Sequence, residues 1–559
     1  MAAVITSEQL IPIDESFKVS AGPGAGKTHW LIGHIRNVIA HSKKLGVLKK
    51  VACITYTNVG ADTIISRLDI SNDAVEVCTI HSFLYSNVVK PYAYLVAREI
   101  GLKYEDMTVI DDSNFKTAGI ATALLNQAKM TWVNQSAYLK GLKQAYWHYE
   151  NHRHGDYKPK HPQSFPSGHG RKFVPNVCYI EFRRLLWRRG YISFDDILYI
   201  SSLVLSSYPN LYGLIRARYP YVFVDEFQDT IPYVVDFLGE LGKTDIVVGV
   251  VGDKAQTIYN FLGTSVQQFE DFNVPRMNEY EIRGNRRSTK QIIDLLNVIR
   301  LDFTQDWLNG IQGMKPVLMV GDMLDCYQKS IEICGSDDIQ SLSYPNILAN
   351  SMRMKNGTRT SDNILSLEFD SNSKRQMYIR CLLNAVEYAK MNDLRNAWHH
   401  LDVLSKDRAK TIIALRQLLN SYNDYKDGTL MDFYNTVINK LRLDLPRFKS
   451  GNTKEFYETH KYADAALCVN GVDSDDRHKT IHKSKGEEFE NVFVILKEEH
   501  DLDFILAPDL YLENSHRVYY VAVSRAKQRL FINVPSLSLQ NLSKIKKISV
   551  IDIELSSNI

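Results

Sequence analysis

The run Gly22-Pro23-Gly24-Ala25-Gly26-Lys27-Thr28 holds the residues with the plainest chemistry in this chain. Glycines at alternate positions let the backbone turn tightly between a strand and a helix, so that N–H groups and the helix N-terminus face an anion. Lys27 would neutralise phosphate oxygens and Thr28 would offer a hydroxyl to Mg²⁺. Ala21 stands where the phosphate-loop pattern begins with glycine, but Phe17 to Ser20 upstream and the helical pattern downstream supply the required context. A second chemical pair follows far along the chain, where Val222-Phe223-Val224 runs into Asp225-Glu226. An apolar strand there delivers two adjacent carboxylates, Asp225 to hold the Mg²⁺ shell and Glu226 to orient and deprotonate a water. Together the loop and the pair make ATP or a related triphosphate the expected substrate.

Elements that could position these residues are legible around them. Short β-rich runs alternate with helical stretches from Ser16 to Leu84, and the texture returns at Tyr221–Val224 and Ile246–Val251. Continuous apolar strands separated by helices indicate a parallel sheet covered on both faces. A second α/β texture begins after Asn278 and resumes at Val492–Leu496 and Leu530–Val534, while Ile379, Leu382, Leu383 and Val386 recur at helical spacing between them. Length supports this division, since 559 residues exceed one core and suggest roughly three or four domains. The expected segments are 1–87 with 191–277, an insertion at 88–190, then 278–374 with 461–559 and a helical insertion at 375–460.

Hydrophobic residues make up 45% and charged residues 23%, which excludes a disordered chain. A net charge of +3 requires that any groups meeting nucleic acid be clustered locally. The seven cysteines show no C-x-x-C pair, so neither zinc nor a disulfide framework is indicated. Acidic residues near the start, Glu8, Asp14 and Glu15, do not fit a signal peptide, and no apolar run is long enough for a membrane span, so a cytoplasmic protein is expected. The stretch Tyr146 to Phe173 carries His148, His152, His154, His161 and His169 among aromatic and basic residues. It reads best as a solvated loop, with a metal site or a base-stacking surface as alternatives.

The motifs taken in order resemble the UvrD/Rep/PcrA class of superfamily 1 DNA helicases. Thr55-Tyr56-Thr57-Asn58 is similar to motif Ia, Thr79-Ile80-His81-Ser82-Phe83 to motif Ib, and Asp225-Glu226-Phe227-Gln228-Asp229 to motif II. Val251 to Tyr259 resembles motif III, Asn285-Arg286-Arg287-Ser288 motif IV, Thr480 to Gly486 motif V, and Tyr520 to Ala526 motif VI. The resemblance implies two RecA-like domains, each with an insertion, ATP held in the cleft between them, and single-stranded DNA crossing the top. It further implies that Arg287 and Arg525 are arginine fingers, that Gln256 senses the γ-phosphate, and that Glu488 bonds the ribose. Thr57, Asn58, His81 and His482 are expected to meet the DNA backbone, and Phe83, Tyr259 and Phe261 to stack on bases.

Several positions depart from that family. His29 and Arg286 occupy the two places that sandwich the base, Gln9 is the candidate for its adenine-reading glutamine, and Leu262 and Glu487 replace an arginine and an apolar residue. The compact size, short insertion and altered motifs also resemble the helicase subunits of Gabija-type anti-phage systems, which work beside a separate nuclease. The expectation is therefore an ATP-driven translocase or helicase on single-stranded or tailed DNA, 3′-to-5′ by resemblance, with a nuclease partner. The alternatives are a nucleotide- or DNA-end-sensing subunit that regulates such a partner, and a stand-alone repair helicase.

Overall fold

The computed structural model describes the chain except residues 1, 69–73, 134, 150–156, 161–164, 168–169, 173–175, 337, 356–363, 365–366, 368–369, 371, 402–403, 406, 449–450, 470–476, 546 and 553–559. It divides into two compact units, Met1–Arg286 and Arg287–Ile559.

Unit 1 is built on a seven-stranded parallel sheet. Its strands lie in the order Ala3–Ile5, Met277–Ile282, Ser16–Ala21, Val247–Gly252, Tyr221–Val224, Val51–Thr55 and Val75–Thr79. Side chains of a strand alternate between faces, so the apolar run Tyr221–Val224 feeds two cores. Tyr221 and Phe223 join Phe17, Val19, Trp30 and Ile35 on one side. Val222 and Val224 join Phe83, Phe227 and Val248 on the other. Gly249 is required at the centre of the sheet, because a Cβ there would lie 2.1 Å from the ring of Phe17. Strand Met277–Ile282 completes this sheet, so the division between units falls after Arg286 rather than at 278.

The insertion of unit 1 contains helices Ala118–Gln127, Gln135–Gln144 and Asn176–Trp187 and an antiparallel hairpin, Tyr146–Tyr149 with Tyr157–Lys160. This hairpin corrects the solvated-loop reading at its start. Trp147 stacks on Tyr199 at 4.2 Å between centroids and its Nε1 donates to Asp196 at 2.9 Å. Trp147, Tyr149 and Tyr157 are buried and thus unavailable as a base-stacking surface. His152, His154, His161 and His169 lie outside the described residues. Among the described residues no group of histidine, cysteine and carboxylate side chains is placed to hold a metal ion.

Unit 2 carries a six-stranded parallel sheet in the order His478–Thr480, Gln340–Ser343, Phe489–Ile495, Ala526–Val534, Val317–Val320 and Ser549–Asp552. Its helical insertion begins with Ser373–Lys390, and the helical spacing of Ile379, Leu382, Leu383 and Val386 turns all four inward to full burial. Helices Leu394–Leu401, Arg408–Asn420 and Leu430–Leu441 follow. No described helix is long and apolar enough to cross a membrane.

Candidate nucleotide and nucleic-acid site

The loop after strand Ser16–Ala21 reaches helix Lys27–His41 through two residues in left-handed conformation, Gly24 at φ 71° and Gly26 at φ 82°. Non-glycine residues rarely adopt this region, which accounts for both glycines. Gly26 is the N-cap and makes no side-chain cap, so the N–H groups of the first turn are directed outward for an anion. Lys27 folds over the loop, its Nζ donating to the carbonyls of Ala21 at 3.3 Å and Gly22 at 3.4 Å.

Strand Tyr221–Val224 lies two positions away in the sheet, and its last residue is level with Lys18. Thr28 Oγ1 donates to Asp225 Oδ2 at 3.0 Å, which joins two residues far apart in sequence. Burial pushes the Asp225 carboxyl up to about 7, helped by the neighbouring Glu226 and opposed by Lys27 and the Thr28 hydroxyl. Two hard oxygen donors side by side, one of them a desolvated carboxylate that gains by pairing with a cation, fit Mg²⁺.

Glu226 sits at φ 53°, a conformation seldom taken by a residue with a side chain. Such backbone persists where the surroundings enforce it, and here they do. The Glu226 N–H donates to Asp225 Oδ1 at 3.0 Å, and Gln228 Nε2 donates to Glu226 Oε2. Gln228 Oε1 in turn accepts from the Asp253 N–H at 3.0 Å, and Asp253 Oδ2 accepts from Gln256 Nε2 at 2.8 Å. A continuous hydrogen-bonded chain therefore links Glu226 to Gln256. Gln228 and Asp253 were not singled out in the sequence, although both lie within the motif II and III runs.

Beside Gly26, Ser7 and His29 close one side of the loop; a Cβ on Gly26 would stand 3.4 Å from Ser7 Cβ. His29 Nε2 pairs with Glu8 at 3.2 Å and this exposed pair holds the Glu8 carboxyl below its usual range. Arg286 donates through Nη1 to Ser7 Oγ and through its backbone N–H to Gly24 O at 3.0 Å. Thus His29 and Arg286 are gathered at the loop, each with a partner of its own. Gln9 is exposed, and its carbonyl accepts from Trp30 Nε1 at 3.0 Å.

Farther along the same edge of the sheet, Tyr56 and Tyr259 stack at 5.2 Å, and Phe261 lies against Tyr259 at 5.9 Å with 70% of its surface exposed. Thr57 Oγ1 accepts from the Gly60 N–H at 3.0 Å and so starts the helix Asn58–Leu68, leaving Thr57 and Asn58 on the surface. His81 meets Phe194 edge-on at 6.0 Å, and burial lowers the His81 pKa. Phe194, 60% exposed, is a residue the sequence reading missed. It had no signal beyond an aromatic at the start of a capped helix, Phe194–Ser207. Phe83 corrects an expectation: it is fully buried and packs on Tyr219 at 5.2 Å, so it cannot stack on a base. Its position two residues after His81 on the short helix Ile80–Leu84 turns it into the core.

In unit 2, Arg287 donates through Nη1 to Ser524 O at 3.0 Å and through Nη2 to Glu488 Oε1. Arg525 is buried, with Nε on Val521 O at 3.1 Å and Nη2 on Ser524 Oγ at 3.1 Å. Ser524 therefore touches both arginines. Glu487 forms an ion pair with Lys479 at 3.0 Å, which explains how a carboxylate is tolerated at a position expected to be apolar. His482 packs against Tyr344 at 5.7 Å.

Residues 5–275 match the UvrD/REP helicase N-terminal domain, and residues 277–536 match the UvrD-like helicase C-terminal domain. The chain belongs to the UvrD/REP helicase family. Membership agrees with the parallel sheet of each unit. Among curated relatives, the chain is 26% identical to the Gabija protein GajB of Bacillus cereus over 346 residues, 52% of this chain and 47% of that protein. It is 28% identical to a probable DNA helicase II homolog of Mycoplasma capricolum, over 52% of this chain and 39% of that one. A third, the DNA helicase PcrA of Staphylococcus aureus, is 25% identical over 52% of this chain and 39% of its own length. The chain thus spans about half or less of the length of these relatives.

Proposed function

We propose that this protein is an ATP-dependent translocase or helicase on single-stranded DNA, moving 3′-to-5′, which serves anti-phage defence beside a separate nuclease. The observation that carries the motor reading is the hydrogen-bonded chain from Glu226 through Gln228 and Asp253 to Gln256, three residues before the Tyr56–Tyr259 stack. A residue that activates water is thereby tied to an aromatic surface suited to bases.

In this reading the first turn of helix Lys27–His41 and Lys27 hold the β- and γ-phosphates. Thr28 and Asp225 would hold Mg²⁺, which supplies charge neutralisation on those oxygens. Glu226 accepts the proton of the attacking water, its carboxylate aimed by Gln228. Arg287 and Arg525 supply positive charge to the transferring phosphoryl group, and Glu488 exchanges Arg287 for the ribose. Ser7, Glu8, Gln9, His29 and Arg286 face the base. Thr57, Asn58, His81 and His482 contact the DNA backbone, while Tyr259, Phe261 and Phe194 offer ring faces to bases. Such contacts are largely blind to sequence.

The defence role is supported by the likeness to the Gabija protein GajB and by the short insertion of unit 2. Unwinding of 3′-tailed, 5′-tailed and blunt duplexes by the purified protein tests the motor. Strand separation of the 3′-tailed substrate alone is expected; separation of the 5′-tailed one alone would reverse the assigned direction, and equal activity on both would remove it. Gentle purification from the native host tests the second half, with a nuclease expected in stoichiometric amount.

A further inference from the structure

In the parallel sheet of unit 1, the loop Gly22–Thr28, Asp225, Glu226, Tyr56 and Tyr259 follow the carboxyl ends of the strands. The amino ends carry a feature they do not use. The connection from helix Lys27–His41 to strand Val51–Thr55 reads Ser42-Lys43-Lys44-Leu45-Gly46-Val47-Leu48-Lys49-Lys50. Its root is fixed: Ser42 Oγ meets Tyr221 OH at 2.7 Å, Lys44 pairs with Asp14 at 3.5 Å, and the Lys50 N–H donates to Arg218 O at 2.9 Å. Its tip points outward, with Val47 98% and Leu48 83% exposed. Across from the tip, helix Leu211–Arg218 presents the exposed Leu214 and Ala217. Between the two runs a groove of about 480 Å³ lined by Val47, Leu48, Lys50, Leu214, Ala217 and Arg218.

Around this groove the charges without an opposite partner are positive. Lys43, Lys49 and Lys50 have no carboxylate partner among the described residues. Arg218, on the rim, is matched by Glu76 at 3.3 Å. Apolar contacts flanked by ammonium groups that lack carboxylate partners complement a surface of opposite charge with an apolar centre. A nucleic acid would find phosphate-binding lysines but no aromatic ring in the groove, and the Tyr56–Tyr259 stack lies at the carboxyl ends of the strands. A lipid surface could take Val47 and Leu48 but has no side chain to reach Leu214 and Ala217 across the groove. We infer that this groove docks a segment of another protein in which one or two large apolar side chains are flanked by aspartate and glutamate. Docking there leaves the phosphate loop and the aromatic face open, so the partner can be carried by a working motor.

The test uses a fluorescent twelve-residue peptide with a central Leu-Phe flanked by Asp and Glu, titrated into the full chain. It is compared with a peptide carrying Lys in place of the acids. The acidic peptide should bind wild type, and Val47→Ser/Leu48→Ser should weaken it at least tenfold. Lys49→Glu/Lys50→Glu should weaken it as much and gain affinity for the Lys-flanked peptide. ATP turnover should be unchanged in both variants, since none of these residues touches the nucleotide site and the root of the loop is left intact. Equal peptide affinity for wild type and both variants would overturn the inference. So would loss, in the same variants, of binding to phosphatidylglycerol vesicles or to an oligonucleotide in place of the peptide. Dissociation of a wild-type dimer by Val47→Ser/Leu48→Ser, seen in sedimentation, would assign the groove to a second copy and equally overturn it.

Discussion

At the scale of single residues, Glu226 and Phe83 show how side chains from two motifs divide between chemistry and packing. Glu226 is held in a left-handed backbone conformation with its carboxylate on Gln228. Glu226→Gln should leave nucleotide binding intact and lower turnover by about 10²- to 10⁴-fold, the usual contribution of a positioned general base. Comparing the affinity of a fluorescent nucleotide with steady-state turnover checks this. Phe83 is fully buried against Tyr219 and Phe237, so Phe83→Ala should cost roughly 3–5 kcal/mol of stability. Phe194→Ala and Phe261→Ala remove exposed rings and should instead weaken single-stranded DNA binding by about 1–3 kcal/mol each. Denaturant midpoints and DNA titrations on the three variants separate the two classes, and a Phe83 variant that is stable but blind to DNA would refute the division. The sequence singled out Glu226, Phe83 and Phe261 through their motifs and gave no sign of Phe194. It could not distinguish them, because exposure depends on which face of a short helix meets the core.

At the scale of elements, helix Lys27–His41 carries both the proposed phosphate-binding turn and a liability. His34 is buried with neither ring nitrogen hydrogen-bonded, stacked on Trp30 at 5.3 Å and edge-on to Phe17 at 4.9 Å. Burial lowers its pKa from 6.5 to about 4. The unfolded chain thus binds this proton near pH 6.5 while the folded one resists it until about pH 4. Stability from this group is therefore full above pH 6.5 and is lost as the pH falls towards 4, by roughly 3 kcal/mol. Melting temperatures between pH 7 and pH 4.5 should fall less steeply in His34→Leu than in wild type, and parallel profiles would contradict it. The helix itself was legible from its apolar spacing, and the sheets from their uninterrupted β-branched runs. Less legible was the hairpin Tyr146–Tyr149 with Tyr157–Lys160, whose aromatic and basic composition looks solvated. Trp147 is buried there because Tyr199 and Trp187, from other elements, stack on it. Such long-range pairing leaves no local period to read.

At the scale of the whole molecule, family membership and the two parallel sheets agree with the two α/β textures in the sequence. The boundary was harder to read, because strand Met277–Ile282 belongs to the first sheet by pairing with Ser16–Ala21, a contact that spans most of unit 1. Arg287 and Glu488 belong to unit 2, where they pair with each other. If Arg287 acts on the phosphoryl group, Arg287→Ala should lower turnover by about 10³-fold or more with little change in nucleotide affinity. An equal loss of affinity and turnover would assign it to binding alone. The account as a whole requires that hydrolysis at Lys27, Asp225 and Glu226 answer to DNA at Tyr259 and Phe261. The most direct measurement is steady-state ATP turnover of the purified protein with and without a long single-stranded oligonucleotide, in wild type and Glu226→Gln. Strong stimulation by DNA that disappears in Glu226→Gln is the predicted result. Turnover indifferent to DNA, or unaffected by Glu226→Gln, would contradict the account.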